Sequence, residues 1–163
     1  MNYFELFGLP VDVKVDKAAL NKQYIALQKK FHPDFHTGSG EAEQMAALEQ
    51  TSLANQALKV LQQPDLTLGY VLQLKGVLAP EEKYPLDPVF LGEMMELNEK
   101  MMEEEPGPFK QEVATMEASL LGAVQPILDN YHDATVTDEH LQRLKEYYYK
   151  KKYLRRILDR LPD

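Results

Sequence analysis

The sequence predicts an all-α protein made of two helical units, and three observations carry that prediction. Nearly every apolar pattern in the 163 residues repeats with the helical period, and strand-like alternation is confined to Val11-Asp12-Val13-Lys14-Val15. A segment dense in proline, residues 76–88, interrupts two stretches of helical pattern. Charge is also unevenly spread. Residues 1–35 carry 5 basic and 4 acidic side chains, residues 77–139 carry 3 and 15, and residues 140–163 carry 8 and 3.

Each element of the first unit has a local cause. Apolar Tyr3 to Phe7 forms a short first helix stopped at Gly8, with Pro10 beyond it. Residues 11–15 read as an extended connector. Asp16 is the N-cap of a second helix, in which Leu20, Tyr24, Leu27 and Phe31 share one face. Its other face carries Lys17, Lys22, Lys29 and Lys30. Pro33 disfavours helix in the residue before it, so this helix ends near His32. The turn formers Thr37-Gly38-Ser39-Gly40 then lead into a third helix from about Glu41 to Gln63, stopped at Pro64. Its clearest apolar face is Leu53, Ala57, Val60 and Leu61, and it pairs with the second helix as an antiparallel hairpin. Leu66 to Leu74 is apolar enough for one more short helix.

Residues 76–86 are the expected linker, between a first domain at 1–75 and a second at 87–163. Asp87 caps a helix that has Pro88 in its first turn and lasts until Glu105, where Pro106-Gly107-Pro108 ends it. The next helix runs from Phe109 to about Tyr131, with Phe109, Val113, Met116, Leu120 and Ile127 at helical spacing and a kink expected at Pro126. Thr137 caps a last helix that carries Leu144, Tyr147, Leu154, Leu158 and Leu161. Three helices joined by short loops make an antiparallel bundle.

Composition bounds the function. With no cysteine, disulfides, thiolate metal sites and iron–sulfur ligation by this chain are excluded. No apolar run approaches the roughly 18 residues of a membrane span. Met1-Asn2-Tyr3-Phe4-Glu5 lacks the basic and apolar regions of a secretory signal, so a cytoplasmic protein without membrane association is expected. A net charge of -8 argues against general nucleic-acid binding. Lys150-Lys151-Lys152 and Arg155-Arg156 stand against that, and pairing with the acidic helices is their preferred reading. No nucleophile–base constellation or glycine-rich phosphate loop is present, so no catalytic residues are assigned. His32 and His36 have the i, i+4 spacing of a metallohydrolase helix, but Pro33 between them breaks that geometry and no glutamate follows His32. No metal or cofactor is expected.

One local motif has chemical content. Taken alone, His32-Pro33-Asp34 reads as a helix stop and turn. Its surroundings add more: a lysine-faced helix before it, a Gly/Ser loop and a third helix after it, Asn2-Tyr3-Phe4-Glu5-Leu6-Phe7-Gly8-Leu9 at the start, and Asn55-Gln56-Ala57-Leu58-Lys59-Val60-Leu61 before Pro64. Over residues 1 to about 75 this order and spacing resemble the J domain, by which co-chaperones engage DnaK-type ATPases. With a short linker and an acidic helical second unit, the whole resembles HscB, the co-chaperone of iron–sulfur cluster assembly, in its bacterial form without a zinc segment.

The resemblance implies two sets of site residues. For the HscA-like chaperone it implies His32, Pro33 and Asp34, with Lys22, Lys29 and Lys30 meeting an acidic patch. The chemistry fits: Asp34 can accept a bidentate arginine fork, Pro33 lowers the entropy lost on docking, and the lysines set encounter rate and orientation. For an IscU-like iron–sulfur scaffold it implies the helix around Phe90. There Phe90, Met94, Leu97 and Met101 form one stripe, and Leu91, Met95 and Met102 form a second one step round. Either both stripes are core, or the second is a client surface of adaptable methionine in a charged rim. The scaffold residues implied are Leu91, Met95, Glu96, Glu99 and Glu103, joined by Tyr153, with Tyr149 on the same side of the last helix. Gly92 departs from a family position where a larger apolar residue is common. A J-domain co-chaperone serving another client is the alternative function.

Overall fold

The computed structural model describes residues 1–161, and among these every regular element is helical. The elements are α1 (Tyr3–Leu6), α2 (Lys17–Phe31), a 3₁₀ turn (Pro33–Phe35), α3 (Glu41–Leu61), α4 (Pro64–Leu74), α5 (Pro88–Glu103), α6 (Pro106–Asp129) and α7 (Asp138–Asp159). The all-α prediction is met. The chain divides into two units, Met1–Val71 and Leu72–Asp163.

In the first unit, α1 is fixed by a capping box. The Asn2 side chain accepts from the Glu5 N–H at 2.8 Å while the Glu5 carboxylate accepts from the Asn2 N–H at 3.3 Å, so two otherwise orphaned donors are satisfied. Phe4 and Phe7 are fully buried, and Gly8 ends the helix at φ +64°, a conformation only glycine adopts freely. Tyr3 stacks on Tyr70 of α4 at 4.5 Å and donates its N–H to the Tyr70 hydroxyl. Burial pushes that hydroxyl above its ordinary pKa, against the lowering effect of this hydrogen bond.

Asp16 caps α2 by accepting from the N–H groups of Ala18 and Ala19. Leu20 is the buried residue of α2, and Tyr24, Leu27 and Phe31 are half-buried behind it. The face of α3 differs in kind from the expected one. Its buried residues are Ala47, Thr51, Ala54, Ala57 and Leu61, whereas Leu53 and Val60 are only half-buried. Small side chains let α2 and α3 approach closely, and this favours a seam of alanines over the bulkier residues beside it. Asn55 locks the pair, its Oδ1 accepting from the Tyr24 hydroxyl at 2.5 Å and from Gln28 Nε2 at 3.2 Å. The Thr51 hydroxyl donates back to Ala47 and Leu48 carbonyls, so its burial leaves nothing unsatisfied.

The second unit is built on α5, α6 and α7. Phe90, Met94 and Leu97 of α5, Phe109 and Val113 of α6, and Leu154 and Ile157 of α7 form a shared core. Full burial of each such side chain is worth about 1.5–3 kcal/mol. Helix α6 starts at Pro106, three residues earlier than expected. Prolines stop a preceding helix, but in a first turn they forfeit no hydrogen bond, so Pro106-Gly107-Pro108 opens α6 as well as closing α5. By the same logic Pro64 begins α4. Helix α7 ends at Asp159, and Leu161, expected on it, packs half-buried against the core from beyond its end.

Residues 76–86 are not bare chain. Leu78 is buried, and Glu82 accepts from Lys145 Nζ and from the Tyr149 hydroxyl, both on α7, at 3.0 Å. Tyr84 stacks on Tyr149 at 4.7 Å with the rings 9° from parallel, and Lys145 lies over the Tyr84 ring. Glu81 is the one non-glycine residue at positive φ, +60°, among those described. Its strain, of order 1–3 kcal/mol, is held in place by the bonds of Glu82 next to it.

Candidate functional site: an exposed loop and an exposed helix face

The first unit presents His32-Pro33-Asp34 at the mouth of the α2–α3 pair. His32 is the C-cap of α2, its N–H bonded to the Gln28 carbonyl at 2.9 Å, and its ψ of 133° turns the chain out of the helix as a following proline requires. Pro33, Asp34 and Phe35 then make the 3₁₀ turn. The loop is braced from both sides. His36 Nε2 lies 2.9 Å from the Lys30 carbonyl, and Gln44 of α3 donates to the carbonyls of Thr37 and Ser39. His36 is thus held by backbone, and its ring does not share a helical face with His32.

Within this frame the two chemical groups of the tripeptide are ordered and open. His32 Nδ1 accepts from the Asp34 N–H at 3.2 Å, which puts the proton of the neutral ring on Nε2 and leaves that N–H as a donor. The Asp34 carboxylate is 86% exposed, with one oxygen 3.6 Å from His32 Nδ1. Phe35 is 67% exposed, its ring edge-on to His32. Sequence reasoning passed over Phe35, although an aromatic residue in an otherwise polar loop is a readable sign of a contact surface. Lys22, Lys29 and Lys30 are all exposed on α2, and Lys30 lies over the Phe31 ring.

The second unit separates the two stripes of α5. Phe90, Met94 and Leu97 are buried and Met101 is half-buried, so the first stripe is core. Met95 and Met102 are 67% and 88% exposed and Leu91 is 37% exposed, so the second stripe is surface, with Leu91 its most covered member. Val89 is exposed as well, but two residues before Leu91 it lies on another side of the helix and does not belong to this strip. Glu96, Glu99 and Glu103 are exposed along its border. Lys100, the one cation of α5, bonds Glu112 of α6 at 2.7 Å, and that bond raises its pKa. Glu96, one turn before it, also acts on Lys100, so one cation that is already bonded to Glu112 faces three rim carboxylates on its own helix. Gly92 is also exposed, and a side chain there would meet open space.

Tyr153 is half-buried on α7, edge-on to Phe90, which places it where the core reaches the surface at the start of α5. Tyr149, one turn earlier, is engaged with Glu82 and Tyr84, and burial together with the neighbouring Glu82 carboxylate pushes its hydroxyl up to about 12. The basic run on α7 is partly paired: Lys150 with Glu146 at 2.7 Å and Arg155 with Glu117 of α6 at 3.0 Å. Among the described residues no cluster of three His, Asp or Glu side chains is arranged to hold a metal ion, and no helix is long and apolar enough to cross a membrane.

Known proteins place this architecture. Residues 86–161 match the family model described as the HSCB C-terminal oligomerisation domain. Curated relatives named co-chaperone protein HscB homolog, from Vibrio cholerae serotype O1, are 41% identical over 102 residues, which is 62% of this chain. The matched stretch spans 60% of those relatives' length. Chaperone HscB from Vibrio cholerae is similar in structure, with a TM-score of 0.65, 31% identity and 98% of both chains covered. The crystal structure of human co-chaperone protein HscB superposes with a TM-score of 0.82 at 28% identity, covering 98% of this chain and 79% of that one. By these likenesses over nearly its whole length, the chain belongs to the HscB family of co-chaperones.

Proposed function

We propose that this chain is a non-catalytic, cytoplasmic adaptor of iron–sulfur protein maturation. It docks on an HscA-like chaperone of the DnaK type, stimulates that partner's ATPase, and delivers to it an IscU-like cluster scaffold. The first unit engages the chaperone. Asp34 accepts an arginine fork, His32 offers its Nε2–H, Pro33 keeps the loop in shape, and Lys22, Lys29 and Lys30 steer the encounter. The second unit holds the scaffold on Leu91 and Met95, with Glu96, Glu99 and Glu103 as an acidic rim and Tyr153 at the edge.

The observation that carries the reading is the split character of α5. A helix that already buries Phe90, Met94 and Leu97 has no packing need for the exposed Leu91, Met95 and Met102. Exposed apolar side chains inside a charged rim have the anatomy of a partner surface. The test is steady-state ATP turnover of the cognate DnaK-type chaperone with this protein, the scaffold, or both, and with His32→Gln as control. Synergistic stimulation lost in His32→Gln is the expected result. Stimulation indifferent to the scaffold would leave a co-chaperone for another client, and no stimulation by a folded sample would remove the adaptor reading.

A further inference from the structure

On the side of α7 that faces residues 81–86 lies an open groove of ≈ 570 Å³. Tyr84, Tyr149 and Tyr153 line it, and Lys83, Lys152 and Arg156 add three cations. Tyr149, Lys152, Tyr153 and Arg156 recur at i, i+3, i+4 and i+7, so they share one face of α7. Among the described residues Lys83, Lys152 and Arg156 form no ion pair, although Lys152 lies over the Tyr148 ring. The two acids of the groove do not cancel them. Glu82 is already bonded to Lys145, which leaves Glu81 against three cations. In a chain of net charge -8 this is an unusual concentration of positive charge.

We propose that this groove is the second half of the client interface and takes an acidic, apolar-flanked segment of the same scaffold protein. The inference rests on the proposed function and deepens it. Two observations select this occupant over an unrelated one. Tyr153 links the groove to the start of α5: it lines the groove and meets edge-on the buried Phe90, the residue directly before Leu91. The two surfaces also have opposite sign, since Glu96, Glu99 and Glu103 border one and Lys83, Lys152 and Arg156 the other. A client that spans both must present a basic patch to α5 and an acidic segment to α7. That dipolar match fixes its orientation, which an apolar strip alone cannot do. The tyrosines suit such a segment because each gives apolar area with a polar tip at small entropic cost.

The experiment is a titration of the purified apo scaffold into the full chain, its Lys152→Glu/Arg156→Glu variant, its Lys152→Arg/Arg156→Lys variant, and Leu91→Ser/Met95→Ser. All four positions are exposed, and thermal melts check that each variant is folded. Affinity should fall about tenfold in the charge-reversed variant and be kept within about twofold in the charge-conserving one. The deficit should narrow as salt rises from about 0.05 to about 0.5 M, because screening removes the attraction that the reversal inverts. If Leu91→Ser/Met95→Ser loses binding while charge reversal changes nothing or tightens it, the groove proposal is overturned and the α5 reading stands. If the unaltered chain does not bind the scaffold at all, both fall together.

Discussion

His32 illustrates how one residue does several local jobs at once. It ends α2, caps the following turn through Nδ1, and keeps Nε2–H as a donor. Glutamine also has an acceptor and a donor, but carries them on a longer, flexible stem that does not hold them at the ring positions. His32→Gln should therefore cut chaperone stimulation by at least about tenfold, and because the side chain is 44% exposed and outside the core its melting temperature should stay within a few degrees. Glu82 is a contrasting case. Its hydrogen bond with Lys145, aided by the one from Tyr149, holds its carboxyl below the usual carboxylate range. A depressed carboxyl pKa adds stability above the unfolded value, and that stability is lost as pH falls through the folded value. Glu82→Gln should accordingly lower the melting temperature at pH 7, with the gap from the parent closing below about pH 4. For Tyr149 the sign is opposite. Its hydroxyl is raised from 10.0 to about 12, so its contribution is intact below pH 10 and lost between 10 and 12. An alkaline melt series on the parent and on Tyr149→Phe should diverge only below that window. The residues that begin helices could be read from the sequence: Asp16, Asp87 and Thr137 all accept from first-turn N–H groups as expected. Glu82 and Lys145 could not, because 63 residues separate them and neither lies in a local pattern.

At the scale of an element, α5 was legible in its periodicity but not in its exposure. Spacing assigned Phe90, Met94 and Leu97 to one stripe and Leu91, Met95 and Met102 to another, yet periodicity cannot say how many stripes a bundle buries. The stripes should separate in experiment. Met94→Ala should cost about 2–5 kcal/mol of stability, as truncation in a close-packed core does. Leu91→Ser/Met95→Ser should change stability by less than about 1 kcal/mol while abolishing scaffold binding in a titration. Gly92 gives a third handle on the same helix. A mid-helix glycine costs roughly 1 kcal/mol relative to alanine, and open space surrounds it, so Gly92→Ala should raise the denaturation midpoint. The start of α6 shows the complementary failure. Proline reads as a stop from one side and a start from the other, and only the helix that follows decides which.

For the whole molecule, the sequence located two helical units because each has its own apolar faces, caps and charge balance. It placed the interruption by composition alone, at 76–86. In the structure Leu78, Glu82 and Tyr84 are tied within the second unit, whose range begins at Leu72. Proline-rich composition reports an absence of helix, not an absence of contacts. The charge map has a kinetic counterpart. The lysine face of α2 and the carboxylate rim of α5 steer oppositely charged partners, so association of either with the full chain should slow as salt rises, with dissociation rates much less affected.

The division of labour on α5 also bears on how such a helix can change over generations. Its inner stripe is constrained by Phe109, Val113, Leu154 and Ile157 of the neighbouring helices, while its outer stripe stands outside that core. Drift at Leu91, Met95 and Met102 is therefore decoupled from the survival of the fold. A lineage can retune what it carries one substitution at a time, each variant arriving already folded and soluble enough to be tried.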